Sequence, residues 1–392
     1  MNSLRADART RMRVSCLLLV IVVFATTAAC TKHPRPAASA LPAFSEHRVP
    51  VSGRNPFGVA VADFNSDGKP DLVVSFADSD DLVLMLGKGD GSFAPGPIWP
   101  VAKPVSRGIV ATDLNHDGRM DAVLASGDWN SAMVFIGDGR GGAVSTAYPA
   151  GLAPFNVAVG DLNKDGTLDI VVANESDVPT LVDKGMVTVL FGDGQGKFPQ
   201  RLDLEGGSYP ADAKIADLDG DGWMDIAVVN WKSQDITIFQ GRANGTFAPP
   251  RFIANGGLAS VYSLAIADFD GDGKPDMAVG DLFGRVRVLY NNGAGGFARV
   301  ESLAGGRGLR CLIAADLNGD GRPDLATANT AADTVTILLA KPEGGFAVPR
   351  NIPVGRLPRV VTAADLNADG KLDLVVTNSG SNDLSVLLNN GF

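Results

Sequence analysis

Residues 63 to 74 read DFNSDGKPDLVV, so that Asp63, Asn65, Asp67 and Asp71 crowd into nine residues before the chain turns apolar. Like charges at that density repel unless a cation sits among them. The stretch returns as DLNHDGRMD from Asp113, DLNKDGTLD from Asp161, DLDGDGWMD from Asp217, DFDGDGKPD from Asp268, DLNGDGRPD from Asp316 and DLNADGKLD from Asp365. The first Asp advances by 50, 48, 56, 51, 48 and 49 residues, so the chain is seven copies of one unit.

A tandem repeat shares one core, which makes a single repeat domain a better reading of 392 residues than two or three independent ones. Each unit carries apolar runs of four to eight residues, such as FGVAVADF, DLVVSF and DLVLML in the first, separated by Gly, Asn and Asp. A Gly turn and an aromatic follow, as in GDGSF ending at Phe93, GQGKF at Phe198, ANGTF at Phe247, GAGGF at Phe297 and PEGGF at Phe346. This is the grammar of short strands and hairpins. No segment sustains a helical i, i+3, i+4, i+7 stripe, and the 47 Gly fall too often for long helices. The expected fold is all-β: a seven-bladed propeller of four-stranded antiparallel blades.

The two ends predict how the ring closes. The last unit stops at LSVLLNNGF, where the others begin a fourth strand, and AFSEHRVPV near the start looks like a fourth strand without its first three. Residues 44–52 are therefore expected to pair onto blade seven, leaving the propeller as residues 44–392.

The spacing D-x-[DN]-x-D-G-x-x-D places oxygen ligands at positions one, three, five and nine, a backbone carbonyl at seven, and Gly at six where the chain turns sharply. The candidate ligands are Asp63, Asn65, Asp67 and Asp71; Asp113, Asn115, Asp117 and Asp121; Asp161, Asn163, Asp165 and Asp169; and Asp217, Asp219, Asp221 and Asp225. Asp268, Asp270, Asp272 and Asp276; Asp316, Asn318, Asp320 and Asp324; and Asp365, Asn367, Asp369 and Asp373 complete the set. Hard oxygens in that number suit up to seven Ca²⁺ ions; Mg²⁺ prefers fewer carboxylates, and thiolate or imidazole metals find no ligands. The twelfth position is Val74, Leu124, Val172, Val228, Val279, Thr327 or Val376, never the Glu of an EF-hand. A plain hairpin turn would explain one copy, but it needs no Asp at position nine.

The N-terminus reads differently. Arg5, Arg9, Arg11 and Arg13 precede the apolar run CLLLVIVVFATTAAC of residues 16–30, a secretory signal pattern. Ala28 and Ala29 lead into Cys30 as in a bacterial lipobox, with Thr27 where Leu is usual; lipidation of Cys30 and simple cleavage both remain open. Residues 1–29 are expected to leave as the signal, and residues 30–43 to form a Pro/Ala tether. The exported body then holds one cysteine, Cys311, and no internal disulfide, so metal is the natural staple. The full chain has net charge −10; without residues 1–29, which carry four Arg and one Asp, it stands near −13, and seven Ca²⁺ would bring it to about +1.

The pattern resembles the FG-GAP/VCBS-type repeats of exported bacterial proteins, related to the propeller of integrin α subunits, over residues 44–392. That resemblance implies Ca²⁺ in the loop between the first and second strands of each blade. The literal Phe-Gly and Gly-Ala-Pro signature of integrins is missing, so partner recognition of the integrin kind does not carry over. The three histidines, His33, His47 and His116, offer no triad. The leading function is a non-catalytic binding or adhesion module for a glycan or protein ligand. The alternatives are a carbohydrate-active enzyme such as a polysaccharide lyase, and a purely structural role. A monomer is expected, without nucleic-acid binding and touching membrane only through a lipid at Cys30.

Ligand residues are expected opposite the acidic loops. Arg54, Lys103, Arg107, Arg307, Arg310, Arg356 and Arg359 lie on entries to blades six, seven, one and two; Phe155, Tyr209 and Tyr262 lie on entries to blades three to five, with Trp129, Trp231 and Phe283 nearby. The pattern suggests a basic arc and an aromatic arc, with Arg107, Arg310, Arg359, Tyr209, Trp231 and Tyr262 as the candidate contacts for an anionic ligand.

Overall fold

The computed structural model describes residues 42–79, 81–101, 106–175 and 185–391, and of Ser106 and Arg107 only the backbone. The expected signal, most of the tether, and Cys30 lie outside the described residues. Seven four-stranded antiparallel sheets form a ring, with no α-helix among the described residues. The innermost strands are Pro56–Ala62, Ser106–Thr112, Pro154–Gly160, Pro210–Ala216, Val261–Ala267, Leu309–Ala315 and Pro358–Ala364. Each contacts the next, and Pro56–Ala62 meets Pro358–Ala364, so the circle is complete.

The second strand of every blade, Asp71–Phe76 in blade one and Asp373–Asn378 in blade seven, is buried along its whole length. This explains why its sequence does not alternate. Side chains on a strand point to opposite faces in turn, and here both faces meet a neighbouring blade. Leu72 and Val74 pack towards blade seven with Val375, Leu384 and Val386, while Val73 packs towards blade two with Leu124, Met133 and Phe135. The buried apolar residues fall into seven clusters, each spanning one blade junction. The core is a circle of seams, not a centre.

Ring closure follows the expectation, with the pairing ending at Pro50. Strand Phe44–Pro50 lies antiparallel to Asp383–Asn389, from Phe44 opposite Asn389 to Pro50 opposite Asp383. The Ala43 amide donates to the Gly391 carbonyl at 2.7 Å, Asn390 N donates back to Ala43 at 2.8 Å, and Ser385 Oγ donates to Glu46 Oε1 at 2.7 Å. Val49 joins the seam between blades seven and one. Blade four departs most from the pattern: a two-residue hairpin, Gly241–Arg242 with Thr246–Phe247, precedes a shortened outer strand Arg251–Ala254.

A chain beginning after Gly53 would leave Asp383–Asn389 as an unpaired edge and remove Val49 from its seam. It should self-associate in size-exclusion chromatography with light scattering and melt several degrees lower. A monomer with unchanged melting temperature would show that the strand is dispensable.

Candidate functional site

Each acidic loop joins the first strand of a blade to the second, and its geometry repeats seven times. The first Asp accepts the amide of the sixth-position Gly through Oδ2, at 2.8 Å for Asp63 and Gly68 and within 2.7–3.0 Å in the others. The fifth-position Asp accepts the amide two residues on through Oδ1 at 2.7–3.0 Å. The sixth-position Gly sits at φ between 81° and 85°, where a Cβ is strained. The fourth position is left-handed too, which accounts for Gly220, Gly271 and Gly319 there, while Ser66, His116, Lys164 and Ala368 tolerate φ of 57–58°.

The ninth-position Asp has a further role. Asp71 is fully buried; its Oδ2 accepts the Phe64 amide at 3.0 Å and its Oδ1 the Gly87 amide at 2.8 Å. Asp121, Asp169, Asp225, Asp276, Asp324 and Asp373 do the same with the second loop residue and the end of the third strand, at 2.7–3.0 Å. This carboxylate ties the first and third strands together across the second. Burial pushes Asp71, Asp121, Asp169, Asp225 and Asp276 up to about 6 and Asp324 to about 7, with the other loop carboxylates adding to the rise against the two amides.

The donor set fits a hard cation. Asp217, Asp219 and Asp221 bring a carboxylate oxygen each within 4.8 Å of one another, as do Asp268, Asp270 and Asp276. Blades four and five are the two whose third position is Asp instead of Asn. The inclusion of Asp276 places a ninth-position carboxylate beside its loop's cluster while both its oxygens hold amides; a carboxylate oxygen has a second lone pair to give. At the seventh position Lys274, Arg322 and Lys371 pair with the fifth Asp at 2.7, 3.0 and 2.8 Å, so the fifth carboxylate attracts cations from its own loop.

At the opposite ends of the inner strands, every blade has a register shift against its second strand. The residue passed over six places before the first loop Asp is Phe57, Arg107, Phe155, Ala211, Tyr262, Arg310 or Arg359 in blades one to seven. A bulge re-aims its side chain. Phe57 and Phe155 meet at 5.9 Å with their planes at 88°, although blade two stands between their blades, and Phe155 reaches Tyr262 at 6.2 Å. These side chains converge on the ring axis. With Ala77, Glu175, Arg310 and Arg359 they line a cavity of about 310 Å³. Two places before each bulge the backbone is left-handed at Asn55, Ala153, Tyr209, Ser260, Gly308 and Leu357, so every described blade enters its inner strand through a tight turn.

Arg310 lies over Tyr262 at 4.3 Å, and Trp231 stacks on Tyr262 at 5.9 Å and 13°. Tyr209 touches the edge of Trp231 at 5.0 Å, which places it behind the ring of bulged residues and not in it. The Trp231 indole N–H is buried with no acceptor among the described residues. Arg359 Nε donates to Ser379 Oγ at 3.1 Å. The two arcs expected from sequence are thus interleaved: Phe57 stands between Arg359 and the Arg107 position, and Arg310 stacks on an aromatic. Arg54, Arg307 and Arg356 are exposed and outside the cavity, the Arg107 side chain and Lys103 lie outside the described residues, and Trp129 and Phe283 are exposed at 40% and 67%.

The FG-GAP-like repeat matches this chain at residues 63–124, 113–172, 177–228, 217–279, 268–327 and 316–376, each match beyond the third-blade one running from one acidic loop into the next. The chain belongs to the FG-GAP-like repeat family. Integrin alpha-6 of Homo sapiens is 32% identical over 146 residues, and that of Gallus gallus 33% over 150. The aligned part is 34% of this chain but only 13% and 14% of those integrins. The solved structure of BBS1N in complex with ARL6DN covers 87% of this chain with TM-score 0.60 and 14% identity, and virginiamycin B lyase from Staphylococcus aureus covers 88% with TM-score 0.58 and 12% identity. Both show the propeller fold alone. Within the FG-GAP-like frame the loop residues recur in every unit, whereas the residue six places before each loop varies among Phe, Tyr, Arg and Ala. Counting back from the loop is the signal that would have found Phe57 and Ala211.

Two substitutions in one loop separate staple from cation ligand. Asp225→Ala leaves the Leu218 and Gly241 amides without their acceptor, so it should destabilise the protein by about 2–4 kcal/mol even in the absence of divalent metal. Asp221→Ala, at a more exposed carboxylate that accepts only the Trp223 amide, should cost little without metal and clearly more when Ca²⁺ is supplied. Denaturant melts with and without EGTA check both, and equal metal dependence of the two would refute the distinction.

Proposed function

We propose that this chain is an exported, calcium-stabilised propeller acting as a non-catalytic binding module that holds a glycan or protein ligand on the face opposite its acidic loops. The observation that carries this reading is the axial cavity, built from register-equivalent bulged residues of five blades. A loop-free packing role does not call for a cavity lined by two arginines and three aromatic rings. Ligand sites are concave and mostly apolar, with a few placed polar groups, and this one has that make-up.

Ca²⁺ would be held by the first, third, fifth and ninth side chains and the seventh carbonyl of each loop, where its charge would offset the crowded carboxylates. Export rests on the signal pattern of residues 1–30, with Cys30 as a lipid anchor, and no helix among the described residues is long and apolar enough to cross a membrane. The non-catalytic reading rests on the make-up of the cavity, whose described lining includes no histidine, serine or cysteine, while His116 Nε2 faces the Gly166 carbonyl at 3.2 Å in the acidic loops.

Two measurements test this reading. If extracellular-type sites bind Ca²⁺ at about 0.1–1 mM, each site filled tenfold above its Kd adds about 1.4 kcal/mol, and seven add on the order of 10 kcal/mol. EGTA should therefore lower the melting temperature by many degrees and Ca²⁺ restore it; an unchanged melt would refute the metal role. On a glycan and surface-protein array the Ca²⁺-loaded chain should bind a discrete ligand and lose it on Arg310→Glu or Arg359→Glu, while Lys164→Glu on the loop face keeps it. Turnover of an arrayed polysaccharide, or equal loss in all three variants, would overturn the module reading.

A further inference from the structure

We propose that the acidic loops take Ca²⁺ in a set order, with the loop of blade four as the first and tightest site, and with Arg299 and Lys274 as the residues that deny blade five the same rank. This rests on the reading that the loops hold Ca²⁺ and assigns an order among them.

Ligand charge comes first, because the affinity of such a loop is tuned by the number of charged ligands it offers. Five loops carry Asn at position three and so have three carboxylates, whereas the loops of blades four and five carry Asp219 and Asp270 there and have four. Most loops match one of these charges with a cation of their own. The seventh-position Lys69, Arg119, Lys274, Arg322 and Lys371 lie 2.7–3.9 Å from the fifth-position Asp of the same loop. Each such pair is partly exposed and stabilises the fold little, but it lowers the net charge that a divalent ion meets. Three carboxylates and one cation leave a formal charge of −2 on loops one, two, six and seven. Position seven is Thr167 in loop three and Trp223 in loop four, which keep −3 and −4.

Blade five shows how a fourth carboxylate is cancelled. Arg299 Nη1 donates to Asp270 Oδ2 at 2.7 Å. The guanidinium lies over the ring of Tyr290, the residue opposite Arg299 on the third strand, at 3.7 Å from its centre. Tyr290 is buried, and its hydroxyl donates to Glu301 Oε2 at 2.6 Å, so the platform under the guanidinium is fixed. With Lys274 on Asp272 as well, loop five returns to the −2 of its neighbours.

Blade four is built so that this cannot happen. The residue before the stapled third-strand amide is Tyr290 in blade five and Gln240 in blade four. Gln240 Nε2 donates to Asp219 Oδ2 at 2.7 Å, the counterpart of the contact that Arg299 makes, but it brings no charge. The small hairpin of blade four sets Ala248 against Gln240, with the Ala248 amide donating to the Gln240 carbonyl at 2.8 Å, where Arg299 stands against Tyr290. The outer strand resumes only at Arg251, whose guanidinium donates to the Gly295 carbonyl. Lys164 of loop three lies over the Trp223 ring at 4.4 Å. No carboxylate of loop four has an ion-pair partner among the described residues, while Asp217, Asp219 and Asp221 bring an oxygen each within 4.8 Å of one another. The largest unmatched charge and a converging ligand set thus fall in the same loop.

The test strips the full chain with EGTA, desalts it and follows a Ca²⁺ titration by calorimetry. One ion should bind ahead of the rest, with a Kd about tenfold or more below theirs. Asp219→Asn, which gives loop four the third-position residue of most other loops, should bring that Kd level with the others. Arg299→Gln combined with Lys274→Thr should raise the number of tight ions from one to two. Arg299→Lys combined with Lys274→Thr keeps a cation for Asp270 and should leave it at one. Melting curves at saturating Ca²⁺ confirm that each variant is folded, and a merely structural role of Arg299 would not change the count of tight ions. Tb³⁺ then locates the first site, because Trp223 stands in loop four itself: sensitised emission should rise with the first equivalent and vanish in Trp223→Phe, which keeps the seventh-position carbonyl. Trp99 packs on Phe64 of loop one at 5.5 Å, so early emission that survives Trp223→Phe would place the tight site elsewhere and overturn the proposal. A single class of equal sites, a first ion indifferent to Asp219→Asn, or an unchanged count in the Gln and Thr double variant would also overturn the order, and the calcium reading would stand. A chain that takes up no Ca²⁺ would sink both.

Discussion

The buried ninth-position carboxylate is the constraint on which the blade depends. One side chain, Asp71 in the first blade, accepts two backbone amides that lie seven residues before it and sixteen after it, and so fixes where the first strand ends and the third stops. Gly87 allows that approach: a Cβ there would lie 2.0 Å from the Pro70 carbonyl oxygen. The second loop residue, whose amide is one of the two donors, is also a buried apolar plug in all seven blades, from Phe64 to Leu366. Polar staple and apolar plug therefore act on the same turn. A buried charge with two amide partners is still costly, and the remaining loop carboxylates raise the cost. The cation inferred for the loop answers both problems at once.

The two faces of the ring are built under different rules. On the loop face each residue is tied to the staple, and the seven copies stay alike down to hydrogen-bond lengths. On the axial face the bulged residue falls out of the ladder, so no pairing partner dictates its identity. Phe57, Phe155, Tyr262, Arg310 and Arg359 could diverge there without disturbing the seams. In blade four the ring position is the fully buried Ala211, and Trp231 from the same blade supplies the contact with Tyr262. The axial face is thus variation on a repeated frame, which is where the proposed recognition would lie.

That division explains what the sequence disclosed. Blade number, loop position and the closing strand were readable because they rest on local spacing and on a fixed period. The lining of the axial cavity was half readable. Arg310, Arg359, Phe155 and Tyr262 stood out by residue type, but exposed neighbours such as Arg54, Arg307 and Arg356, two or three places upstream, look the same in sequence and point elsewhere. A bulge leaves no mark in the alternation of apolar and polar residues, so Phe57 was read only as part of an apolar run and Tyr209 as a candidate contact of the aromatic arc. The staple was hidden for a related reason: the spacing that makes the ninth Asp a plausible metal ligand says nothing about two amides brought to it by the fold.

The inner strand joins the two faces. Asp316 lies six positions after Arg310, and at about 3.3 Å per residue the strut between bulge and loop is roughly 20 Å long. Its middle is packed in a seam on either side, by Leu312 towards blade five and Cys311 and Ile313 towards blade seven. A strut held along its length transmits position, so the loop that anchors one end also sets where the guanidinium at the other end stands. Seven such struts meet at the axis, and the spacing of Arg310 from Arg359 is therefore set by two staples, one seam and no direct bond between the two side chains. The placement of side chains at the mouth is in that sense an outcome of acidic loops on the far side of the ring.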